Sequence, residues 1–186
     1  MPQRIKGTQA RSGGTRTAIL NAVGRLWADR RFDAITVSDI AAEAGVAKGS
    51  VLAHFSEKQA ILAHFLAEAL DRQSEALAAN EEFARDPDSL AAAFAPLLGY
   101  LLADKALLRL LTSEGGSEQC SAVLDPALER LRLVLLHGFA RAQRNDPPLC
   151  ADVLVALVVH VVVSGHAEDA GAAVGDLTRL AAILYR

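Results

Sequence analysis

Residues 36–55, TVSDIAAEAGVAKGSVLAHF, read as two short helices joined by a tight turn at Ala44-Gly45-Val46. Thr36 is a good N-cap, and Asp39 stands where a capping box places an acidic side chain, although Glu or Gln is usual there. Ile40, Ala41 and Ala44 repeat at helical spacing and give the first helix one apolar stripe. Gly45 falls where the chain needs a left-handed backbone angle, which glycine alone adopts without steric cost. Val46, Val51 and Phe55 carry the stripe onto the second helix. Two helices meeting steeply across a short Gly-containing turn form a helix-turn-helix, whose second helix enters the DNA major groove. The competing reading is an ordinary helical hairpin packed through its apolar faces.

The longer block around this pair narrows the choice. IL-x-x-V near its start is followed by TV-x-x-IA, AGV-x-KGS, HF and K-x-x-IL, in that order and without insertion. It resembles the N-terminal DNA-binding domain of the TetR family of transcriptional regulators, over roughly the first third of the chain. The side chains of the second motif helix not needed for packing are Ala47, Lys48, Ser50, Ala53 and His54. Lys48 can reach phosphate or a guanine edge, Ser50 can donate to phosphate or base, and Gly49 permits close approach to the backbone. The resemblance adds Thr36 and Ser38 at the start of the first motif helix, His54 in its His-Phe context, and Lys58 as a phosphate grip. It also marks a departure: Leu52 stands where relatives commonly carry a phosphate-binding Tyr, and Ala53 where they carry something larger. A leucine or alanine there can meet a thymine methyl.

The 186 residues hold one large or two small domains, and 52% hydrophobic content supports a substantial core. Scarce proline and abundant Ala and Leu favour an all-α fold. Residues 1–58 carry 9 Lys+Arg and 5 Asp+Glu, a net of +4, whereas residues 59–186 carry 10 and 17, a net of −7. That asymmetry assigns any polyanionic partner to the first third. The polar, basic start has no signal-peptide core, and the apolar run 153–163 falls short of the ~20 residues of a membrane span. The expectation is a cytoplasmic protein that meets no membrane. Cys120 and Cys150 read as incidental thiols, no metal-ligand spacing occurs, and no nucleophile elbow, HExxH or phosphate loop suggests an enzyme or a cofactor.

Three regions follow from the pattern: a flexible basic arm over 1–14, a helix-turn-helix domain over 15–66 whose last helix continues to about 79, and a helical effector-binding and dimerisation domain over 67–186. The arm could reach a minor groove or simply be solvated. Helices are expected over 15–29, 57–79, 89–104 with a kink at Pro96, 105–111, 125–145 opening on Asp125-Pro126, 152–165 and 176–185, with a loop over 112–121. The segment 153–164 is apolar almost all round, so a second subunit is expected to cover one side. Leu128, Leu131, Leu135 and Phe139, with Val155, Val159 and Val162, are the candidate homodimer interface. The resemblance implies the same dimer, a palindromic operator in double-stranded DNA, repression, and release by a small-molecule effector. Candidate lining for that effector is Phe94, Leu98, Tyr100, Leu101, Leu107 and Leu111, with His160 as a pocket or interface group. Core packing competes for each apolar residue. An interaction module with the same fold that has lost specific DNA binding is the alternative reading of the whole chain.

Overall fold

The computed structural model describes residues 6–112 and 117–186, all helix, turn and loop, with no strand among them. Its helices are α1 Lys6–Asp29, α2 Val37–Ala44, α3 Lys48–His54, α4 Lys58–Ala79, α5 Pro87–Ala103, α6 Lys105–Thr112, α7 Glu118–Arg141, α8 Pro147–Val163 and α9 Ala170–Ala181. Single 3-10 turns occupy Phe32–Ala34 and Ala182–Tyr185. The chain divides into two compact units, Met1–Ile61 and Leu62–Arg186.

In the first unit α2 packs on α1 and α3 packs on α2. Ile19, Ala22 and Val23 of α1 share a core with Phe32, Ile35, Ile40, Ala41, Val51 and Phe55. Trp27, half-buried, lies edge-on to the buried Phe32 with centroids 5.4 Å apart. α1 starts at Lys6 rather than at 15, so residues 6–14 of the expected arm are helical. Gly13 and Gly14 each cost roughly 1 kcal/mol relative to Ala, but extending an existing helix avoids the nucleation penalty. Residues 1–5 of that arm lie outside the described residues.

The second unit sets α5 against α9, α7 against α8, and α8 against α9. Gln73 of α4 is buried and donates to the Ala93 carbonyl of α5 at 2.9 Å. Arg130 of α7 forks onto Asp71 of α4, with Nε and Nη2 each 2.9 Å from a carboxylate oxygen. Both cysteines are free and buried, and burial pushes the Cys150 thiol up.

In the second unit three helices, α7, α8 and α9, start more than a turn ahead of expectation. α7 begins at Glu118, where the Ser117 hydroxyl accepts from the Cys120 amide, so Pro126 sits inside the helix and not at its first turn. The amide that Pro126 lacks would have served the carbonyl of Ala122, and both residues are exposed, so water can take its place. Pro96 is accommodated the same way inside α5, opposite exposed Ala92. Pro147 and Pro148 open α8 instead of merely ending what precedes it, with Asp146 capping the Leu149 amide at 3.1 Å. α9 opens at Ala170 under an Asp169 cap, ahead of the expected 176.

Asp86, the cap of α5, accepts from the Ser89 amide at 2.8 Å and from Arg85 Nε at 2.9 Å. These bonds, the Ser89 amide first, hold its carboxyl at about 2 against the usual 3.8. A carboxyl depressed by folding stabilises fully above its unfolded value and loses that contribution as pH falls through the folded one. Acid unfolding followed by circular dichroism should therefore show a component between pH 3.8 and about 2. Asp86→Asn, which can still cap, should remove that component. An unchanged acid limb would refute this origin.

Candidate nucleic-acid interface

The helix-turn-helix is built as its sequence dictates. The Thr36 hydroxyl accepts from the Asp39 amide at 3.1 Å, and the Thr36 amide donates to Asp39 Oδ2 at 2.8 Å. Both halves of the capping box are present, and the Thr36 bonds hold the Asp39 carboxyl below its usual range. Gly45 has φ 67° and ψ 32°, the left-handed conformation. Its amide reaches the Ala42 carbonyl at 3.2 Å and the Val46 amide reaches Ala41 at 3.0 Å, which is a Schellman closure of α2. The chain then re-enters helix at Lys48. Val51 and Phe55 turn inward, fixing which face α3 presents to solvent.

On that outward side Lys48, Gly49, Leu52 and Ala53 are exposed, while Ser50 and His54 are half-buried. A Cβ added at Gly49 would meet nothing within 4 Å, so the bare position faces open space. Ser38 is exposed in the first turn of α2, and the Thr36 hydroxyl is committed to its cap. Lys58 is already engaged: its ammonium donates to the Asp33 carbonyl at 3.2 Å and sits 4.5 Å from the Phe32 ring centroid. It thus staples the start of α4 to the 3-10 turn.

The basic excess of this unit is partly internal. Arg25 pairs with Glu43 at 2.6 Å and Arg30 with Asp39 at 3.6 Å, so both acidic groups of α2 are neutralised from α1 and the turn after it. Arg16 lies 4.8 Å over the Phe55 ring. Sequence spacing gave no sign of these contacts, because each partner is far along the chain. The outer side of α3 itself offers an exposed lysine, a half-buried hydroxyl and an exposed leucine on a small-residue surface. It can meet phosphate through Lys48 and a base edge through Ser50 or Leu52.

The second unit contains an apolar cavity of about 30 Å³. Its walls are Leu66 and Leu70 of α4, Phe94, Leu97 and Leu101 of α5, Leu128 and Leu131 of α7, and Val155, Val158 and Val159 of α8. Of the expected lining, Phe94 and Leu101 are there. Leu98 and Leu107 are buried but do not border it, and Tyr100 is half-buried, with burial pushing its phenol up to about 12. The side chain of Leu111 lies outside the described residues. His160 is exposed and borders a separate open groove with Ser164, His166, Asp176 and Arg179.

The expected dimer stripe divides, with Leu128, Val155 and Val159 only half-buried. Leu131, Leu135, Phe139 and Val162 are buried within their own chain, and Leu128, Val155 and Val159 face the cavity. The large apolar residues exposed on α7 and α8 are Leu133, Leu149 and Val163, at 44%, 56% and 48%. Among the described residues no group of three or more His, Cys, Asp or Glu could hold a metal. None of the described helices is long and apolar enough to cross a membrane.

Residues 19–65 match the family model for bacterial regulatory proteins of the tetR family. No curated protein matches the chain. Among solved structures, a TetR transcriptional regulator from Rhodococcus sp. RHA1 superposes with a TM-score of 0.67 at 17% identity, over 95% of this chain and 97% of that one. RolR in complex with resorcinol gives 0.63 at 19% identity, over 92% and 95%. FadR from Bacillus subtilis in complex with stearoyl-CoA gives 0.58 at 19% identity, over 90% and 97%. The Rhodococcus and Bacillus subtilis proteins are transcriptional regulators. Residues 19–65 thus carry the match to the tetR family of bacterial regulatory proteins, and the chain as a whole shares the fold of the TetR transcriptional regulator from Rhodococcus.

Proposed function

We propose that the protein is a homodimeric repressor acting on DNA in the cytoplasm and released from a palindromic operator by a small-molecule effector. The observation that carries this reading is the capped, glycine-closed α2–α3 pair with the outer face of α3 left open. Two such helices in a dimer would meet major-groove faces about 34–36 Å apart, or a multiple of that. Leu133, Leu149 and Val163 support a subunit contact through the outward sides of α7 and α8. For the effector, the hydrocarbon-lined cavity supports an apolar or lightly polar group, in keeping with resorcinol and with the acyl chain of stearoyl-CoA in the related folds. At about 30 Å³ it is far below the ~300 Å³ of a small ligand site, so a ligand has to part the helices that wall it. One of them, α4, also carries Lys58 at its start, which supplies a route from ligand to DNA.

Fluorescence anisotropy with the protein's own upstream DNA, at several salt concentrations, tests the core of this. Specific binding that weakens steeply with salt is the expected result. Lys48→Ala should reduce the salt slope by about 1 per protomer contact and weaken all sequences alike. Lys58→Ala should reduce it too if its ammonium leaves Asp33 for phosphate. A slope indifferent to both substitutions, with equal weak binding to any duplex, would favour the interaction module that has lost specific DNA binding. The exposed Leu52 is the feature that speaks for that second reading.

A further inference from the structure

Leu52 is 47% exposed, and it is the one large hydrophobic residue left open in the first unit among the described residues. Nothing in the fold requires this, because Val51 and Phe55 already supply the packing of α3. At about 100° per residue, Gly49 and Ala53 fall opposite Val51, with Leu52 and Ser50 on the two flanks. The crest of α3 is thus almost bare, which lets its backbone approach a surface closely, and Leu52 is the bulkiest group beside it. The helix KGSVLAH contains no Arg, Asn or Gln, the side chains that read guanine and adenine through paired hydrogen bonds. Discrimination between bases by this helix therefore falls to Lys48, Ser50, Leu52, Ala53 and His54, among which Leu52 has the largest exposed apolar side chain. The one apolar feature in the major groove is the C5-methyl group of thymine.

Building on the DNA-binding reading above, we infer that Leu52 is a specificity-determining residue that reads a thymine methyl in each half-site. The leucine that weakens the case for phosphate binding at this position becomes a base reader. Burying one methyl corresponds to roughly a four-fold change in affinity, and to roughly fifteen-fold for a two-fold site.

The test uses the full-length protein and the duplex it enriches from a random pool. That duplex is made once with thymine and once with deoxyuridine, which keeps pairing and hydrogen-bonding edges but lacks the methyl. The wild type should bind the uracil duplex more weakly by the stated factor. Leu52→Ala should bind both duplexes equally, at the wild type's affinity for the uracil form. Since Leu52 is exposed and Ala is the better helix former, this variant should fold normally. Equal wild-type affinity for the two duplexes overturns the inference alone, as does a thymine preference that survives Leu52→Ala. Failure to enrich any duplex overturns the DNA-binding reading and this inference with it.

Discussion

Gly138→Ala is expected to lower the melting temperature by roughly 6–12 °C, from a destabilisation of about 3 kcal/mol at the upper end of the overpacking range. A Cβ at Gly138 would lie 2.1 Å from Cζ of Phe83 and 2.5 Å from Cε1, inside any permitted contact. Phe83 is itself buried, so its ring cannot move without breaking the packing it now makes. Either α7 lifts or the ring leaves its place, and both disturb the core of the second unit. Phe83→Leu combined with Gly138→Ala should recover part of the loss, because the smaller side chain vacates the space the new methyl needs. Scanning calorimetry on the two single variants and the double variant measures that coupling. If Gly138→Ala melts like the wild type, the close packing described here is wrong.

Phe55→Ala should abolish DNA binding outright. Truncating a fully buried phenylalanine costs about 3–5 kcal/mol. A unit of this size commands only about 3–9 kcal/mol in total, at ~0.05–0.15 kcal/mol per residue. The substitution also removes the ring under Arg16 and loosens the point where α3 ends. Limited proteolysis should then cut within residues 1–61 while residues 62–186 stay protected. Retained operator binding in this variant would show that the first unit draws its stability from elsewhere.

The features legible in sequence were those fixed by neighbours along the chain. Thr36 with Asp39, Gly45, and the Val51–Phe55 stripe depend on spacings of a few residues, and the structure has each of them. The misreadings have two physical sources. Proline in a sequence reads as punctuation, yet Pro126 is tolerated within a helix whose orphaned carbonyl can be hydrated, and Pro147 begins one. Periodicity, for its part, identifies an apolar face without naming what covers it. Leu131, Leu135 and Phe139 form a real stripe, but it is covered by their own chain, while the less regular Leu133, Leu149 and Val163 look outward. Likewise the basic charge of the first third was countable, but its partial neutralisation by Glu43 and Asp39 was not.

The two buried thiols give the second unit a built-in chronometer. Cys120 lies at the start of α7 and Cys150 in the first turns of α8, and both are shielded from solvent. A maleimide pulse can label them only when those helices open, and the upward-shifted thiol of Cys150 slows the reaction of the closed form further. Labelling rates, resolved by mass spectrometry, would time the breathing of the two helices separately without any added probe. A ligand that wedges itself among α4, α5, α7 and α8 would register as a change in that rhythm, whether or not DNA is present.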